Sequence, residues 1–116
     1  MIDIYEPTEA GFSTKVEYEG WKAVFLTYSP QYDKLTEMKR HMATDEVFVL
    51  LKGQATIYTY EDGLKKTPLV PNKIYNIRKG TWHHVSVSED ALLFVVENSN
   101  TTKENTERID FNALSK

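Results

Sequence analysis

The sequence predicts an all-β domain, a small barrel or jelly roll, on three observations. Short runs rich in β-branched and aromatic residues recur along it. Turn residues separate them at intervals of roughly 8–12 residues, the spacing of sandwiches and barrels. Between them, strong helical periodicity is missing.

The elements follow in order. Trp21 to Tyr28 is aromatic and aliphatic, and Glu46 to Leu51 is apolar on both faces, as a strand inside a sandwich must be. Ala55 to Tyr60 is β-branched and aromatic, and Glu61-Asp62-Gly63 after it carries the Asp-Gly hairpin signal, because glycine tolerates the positive φ of such turns. Lys66 to Val70 and Lys73 to Arg78 are shorter strands, the first confined by Pro68 and Pro71 to an edge or a loop. His83 to Ser88 and Ala91 to Glu97 flank the turn Ser88-Glu89-Asp90. Short helical segments are expected at the ends: a turn near Pro7 to Gly11, and Asp110 to Leu114 with Asp110 as N-cap. Asn98 to Glu107 reads as a polar surface loop.

Composition narrows the function. The 116 residues are read as one domain, 1–116, with an ordinary 41% of hydrophobic residues. The absence of cysteine excludes disulfides, thiolate metal sites and a cysteine nucleophile. Net charge is −3 and the only short basic cluster is Lys39-Arg40-His41, so nucleic acid is not an expected partner, whereas a small anion inside a pocket needs only one or two basic groups. The amino terminus lacks the pattern of a secretory signal and no apolar run approaches the ~20 residues that cross a bilayer, so the expected location is cytoplasmic, away from membranes. There is no Gly-rich phosphate loop and no nucleophile-elbow serine.

Three histidines remain, His41, His83 and His84. Two imidazoles and a carboxylate can hold a divalent metal with positions left for substrate. His41 is followed by four residues, Glu46, six residues and Gly53, and Gly80 is followed by two residues and His83. These spacings resemble the two motifs of the cupins over about 37–97. The first motif there runs Gly, five residues, His-x-His, three or four residues, Glu, six residues, Gly; the second runs Gly, five residues, Pro-x-Gly, two residues, His, three residues, Asn. Here Asp33 and Lys39 stand at the first Gly and first His, and Asn72, Arg78 and Val87 at the second motif's Gly, Pro and Asn. Asn72 suits the local geometry, since asparagine tolerates a left-handed backbone.

The resemblance implies a cupin-type barrel, RmlC-like, with a small molecule bound inside it, a sugar or small carboxylate. It implies His41, Glu46 and His83 as ligands of a divalent ion, with Zn, Fe, Ni and Mn all suited to the donors. Cupins include dioxygenases, sugar isomerases and epimerases, lyases such as those acting on ureidoglycolate, and binding domains without catalysis. The candidates for a catalytic group are His41, His83 and Lys39. Lys39 should share the inward face with His41, two residues on. It either pairs with Glu46 and stands in for the metal, leaving the protein metal-free, or extends to solvent at the barrel mouth. His84 should point to the barrel exterior. Trp82 reads as pocket rim or packing, and Tyr58, Tyr60 and Tyr75 as packing residues that could line the interior.

Glu46, Phe48 and Leu50 alternate with Val47, Val49 and Leu51, so one apolar set faces away from the interior and needs cover. With the resemblance, this predicts a homodimer. Sedimentation at micromolar concentration should give the mass of two chains; a monomer counts against the expectation.

Overall fold

The computed structural model describes residues 1–114. Its strands are β1 (Phe12–Tyr18), β2 (Trp21–Thr27), β3 (Glu37–His41), β4 (Glu46–Lys52), β5 (Ala55–Tyr60), β6 (Leu64–Pro68), β7 (Ile74–Ile77), β8 (Trp82–Val87), β9 (Leu92–Asn98) and β10 (Thr106–Asp110). A 3-10 turn, Pro30–Tyr32, lies between β2 and β3, and the one-turn helix α1 (Phe111–Leu114) follows β10. The strands form two five-stranded antiparallel sheets, in the orders β1-β2-β9-β4-β7 and β10-β3-β8-β5-β6. No described helix is long and apolar enough to cross a membrane.

The expected strands from Trp21 to Glu97 all form, within two residues of the bounds read from sequence. Asp62 (φ 58°) and Gly63 (φ 140°) turn the β5–β6 hairpin, Asn72 takes φ 68°, and the proline-bearing β6 is an edge strand. Asp110 caps α1, its Oδ1 accepting the Asn112 N–H at 2.8 Å. Two expectations need correction. Pro7 to Gly11 contains a bend and no helical turn, ending at Gly11, whose N–H donates to Thr27 Oγ1. The polar loop stops short, because residues from Thr106 onward form β10 along β3. β10 lacks an alternating apolar pattern; cross-strand pairs Arg40–Glu107 and Arg108–Glu37, both at 2.6 Å, set it against β3 instead.

The core lies between the sheets. Val24 and Leu26 of β2, Phe48 and Leu50 of β4, Ile57 of β5, Val85 and Val87 of β8 and Leu93 and Val95 of β9 are all buried and alternate with outward residues. Burying each such side chain contributes about 1.5–3 kcal/mol. The outer face of the first sheet is also apolar: Val47, Val49 and Phe94 are half-buried, and Leu51 and Ile74 are exposed.

Gly53 and Gly80 both have positive φ, +77° and +81°. A Cβ at Gly53 would lie 2.7 Å from Ala91 Cα, whereas a Cβ at Gly80 meets nothing within 4 Å. Gly80→Ala should therefore cost only the left-handed backbone penalty, about 1–2 kcal/mol. Gly53→Ala should cost at least about 3 kcal/mol, since a backbone must also move. Urea unfolding of the two variants checks the order, and equal losses would contradict the close approach of the β4–β5 turn to Ala91.

Candidate functional site

Alternation on four strands brings the charged residues together. His41 on β3 and His83 on β8 come from one sheet, Glu46 on β4 and Glu97 on β9 from the other, and all four are buried. Glu46 Oε1 lies 3.3 Å from Nε2 of both His41 and His83. The ligand atoms of His41, Glu46 and His83 fall within 4.8 Å of one another, so the three residues singled out by their spacing converge.

Each outer ring nitrogen has its own partner. His83 Nδ1 lies 2.9 Å from the Thr81 carbonyl. A carbonyl only accepts, so Nδ1 carries a proton and Nε2 is the nitrogen turned inward. His41 Nδ1 meets Thr106 Oγ1 at 3.0 Å. His41 Nε2, His83 Nε2 and Glu46 Oε1 are buried without a hydrogen-bond partner. Three electron-pair donors pointing at one another need a cation or a proton between them. The donor set suits a divalent transition ion, which these residues could hold.

Electrostatics divide the two carboxylates. Burial pushes the Glu46 carboxyl up, but the His41 and His83 rings, each 3.3 Å away, outweigh it and hold the group below the usual carboxylate range. Glu97 stands directly across from Glu46 in the β4–β9 register. Burial, together with the charge and hydrogen bond of Glu46, pushes Glu97 up to about 8, against the pull of Lys22 at 3.7 Å. Of the two facing carboxyls, Glu97 is therefore the one that holds its proton more tightly.

A cavity of about 260 Å³ adjoins the cluster, with Glu46 and His83 in its wall. β3 and β8 share a single register pair, Lys39 with His83, and beyond it Thr36 and Glu37 line the cavity on one side and His84 and Val85 on the other. The segment around Pro30–Tyr32 adds Gln31 and Tyr32. Tyr32 is 8% exposed, and burial with the charge of Glu46 raises its phenol to about 12, so it stays an O–H donor.

Lys39 is half-buried and lines this cavity, on the inward side as expected. Of the two readings of Lys39, the pair with Glu46 does not form: among the described residues the ion-pair partners of Glu46 within 4.0 Å are the two imidazoles. His84 also departs from expectation. It is buried at 9% exposure, because the Asp33 segment covers that face of β8, with the Asp33 carbonyl accepting from Ser86. Trp82 receives the Arg40 guanidinium at 4.4 Å from its ring centre. Tyr75 donates no group to this cavity; its hydroxyl accepts the Val70 N–H at 2.9 Å, while Tyr58 packs on His84. Glu97, Tyr32 and Arg108 were not foreseen. Glu97 could have been found as a carboxylate at the inward end of the Leu93, Val95, Glu97 alternation; Tyr32, in an irregular segment, has no such signal.

The raised Glu97 titration has a checkable sign. Unfolded, the carboxyl loses its proton near 4.5; folded, it keeps it to about 8. Between these values the folded state binds more protons, so its contribution to stability falls as pH rises. In chelator-treated protein, Glu97→Gln should flatten the fall in Tm between pH 5 and 8. An unchanged pH slope would show that Glu97 is ionised in the fold.

A scan against protein-family models finds no match, and neither does a comparison with curated proteins. Solved structures do match. A cupin-2 domain protein from Shewanella frigidimarina is 20% identical, with TM-score 0.60 over 76% of this chain and 79% of that one. A Streptomyces nucleoside dehydratase is 12% identical, with TM-score 0.65 over 95% and 92%. The TDP-fucose-3,4-ketoisomerase of Campylobacter jejuni is 18% identical, with TM-score 0.65 over 84% and 73%. Two antiparallel sheets enclosing a polar cluster, matched by these barrels over most of their length, make the fold of this chain the cupin-type, RmlC-like jelly roll.

Proposed function

We propose that this barrel holds a divalent transition ion on His41, Glu46 and His83 and binds a small molecule in the adjoining cavity. The observation that carries the reading is the convergence of three buried, unpartnered donor atoms from β3, β4 and β8. The Thr81 carbonyl supports it by fixing the His83 tautomer with Nε2 free. Such an ion supplies Lewis-acid polarisation of a bound carbonyl or carboxylate, or activates water or oxygen. The chain's own residues do the rest. Tyr32 offers a hydroxyl that can donate to an oxygen developing charge, and Lys39 offers a cation on the same wall.

A second reading, metal-free acid–base catalysis, has its own support. Glu97 holds a proton next to Glu46, and Glu46 contacts both imidazoles, so a proton can move within the cluster. The similar nucleoside dehydratase and sugar ketoisomerase support an enzyme over a binding domain alone. The functional unit we propose is a homodimer joined through the apolar outer face that carries Val47, Val49 and Leu51.

Metal analysis and zinc titration of protein made without a histidine tag separate the readings. The wild type should bind one zinc per chain. Glu46→Gln should weaken binding at least tenfold, about 1.4 kcal/mol, and Lys39→His should strengthen it by as much, by adding an imidazole and removing a repelling charge. Zinc affinity unchanged in a folded Glu46→Gln variant would eliminate the metal reading and leave the acid–base one.

A further inference from the structure

Two cations line the cavity, Lys39 and Arg108. Arg108 is already engaged, its Nη1 2.6 Å from Glu37 Oε1 at the rim. Lys39 has neither a hydrogen bond nor an ion pair within 4.0 Å among the described residues. Lys39 is half-buried in this wall, and an ammonium drawn from water is unfavourable unless an anion or acceptor meets it. Two more lining residues carry a polar group without a partner. His84 Nε2 is buried and unsatisfied, and the Tyr32 hydroxyl makes no hydrogen bond among the described residues. Phe12, Leu26, Phe48 and Val85 supply the apolar part of the wall.

We propose that this cavity takes a small organic monocarboxylate, its carboxylate held by Lys39 and Tyr32 and its apolar body against Phe12, Leu26 and Phe48. The ligand class rests on the pocket function proposed above and narrows it. A neutral sugar would leave the ammonium uncompensated. A dianionic phosphate would bring two charges to one free cation in a cavity whose wall also holds the carboxyls of Glu37 and Glu46. The volume, about 260 Å³, is just below the ~300–1,000 Å³ of drug-sized sites, so the body is small, on the scale of one ring.

Benzoate and its neutral isostere benzamide are suitable probes, titrated into the isotope-labelled chain by NMR, each with and without zinc. Benzoate should bind at least tenfold tighter than benzamide, with the largest shifts at Tyr32, Lys39 and Val85. Lys39→Met should reduce the preference to under about threefold without weakening zinc binding, and Lys39→Arg, which keeps the charge, should retain part of it. Should Lys39→Met fail to fold, loss of the preference in Lys39→Gln supplies the same reading. Benzoate binding no tighter than benzamide, a preference that survives loss of the Lys39 charge, or shifts centred on the separate cavity at Thr59, Lys65 and Arg78 would overturn the proposal. Zinc binding without the benzoate preference removes the carboxylate proposal alone. The preference without zinc binding removes the metal reading alone.

Discussion

Everything at the centre of this barrel depends on one buried carboxylate. Glu46 is 2% exposed, and an ionised carboxyl out of water costs several kcal/mol unless positive charge or hydrogen-bond donors surround it. The two histidines that meet it come from strands of the opposite sheet, so the same electrostatic demand also ties the sheets together. The cluster is inserted into an apolar sandwich at the point where Leu93 and Val95 give way to Glu97, and Phe48 and Leu50 to Glu46. Two carboxylates directly opposite in register cannot both ionise cheaply, which is why one of them keeps its proton.

The central strands were readable from sequence because they follow simple rules. Inward and outward residues alternate in β4, β8 and β9, and turn residues bound them. The site was readable in part for the same reason: His41, Glu46 and His83 are inward residues at motif spacing, and Lys39 shares the inward side with His41. What escaped depends on contacts distant in sequence. β10 is a strand because it pairs with β3 from Thr106 to Asp110, with Arg108 and Glu107 meeting Glu37 and Arg40 beside the ladder. His84 is outward by alternation yet buried, because a segment some fifty residues earlier, marked by Asp33 accepting from Ser86 (53 residues apart), covers it. Lys39 and Glu46 looked like natural partners in sequence, but the imidazoles reach the carboxylate first.

The cavity arises from a defect in regular pairing. A fully zipped β3–β8 ladder would fill the space with backbone hydrogen bonds and leave only side chains inside. With one register pair, the strands part, and the Pro30–Tyr32 segment lines the gap with a phenol and an amide. A backbone group freed in this way must find another partner: the His41 carbonyl accepts from the Gly80 N–H. The positive φ of Gly80 lets the chain turn into β8 at that point.

β10 links the surface to this interior. It is an edge strand fastened partly by exposed ion pairs, and its first residue, Thr106, supplies the hydroxyl that orients the His41 ring. Exposed pairs of this kind are screened by salt over about 8–10 Å. The His41 ring, deep in the barrel, is thus tied through Thr106 to a strand whose fastening lies at the surface, where the salt of the solution acts.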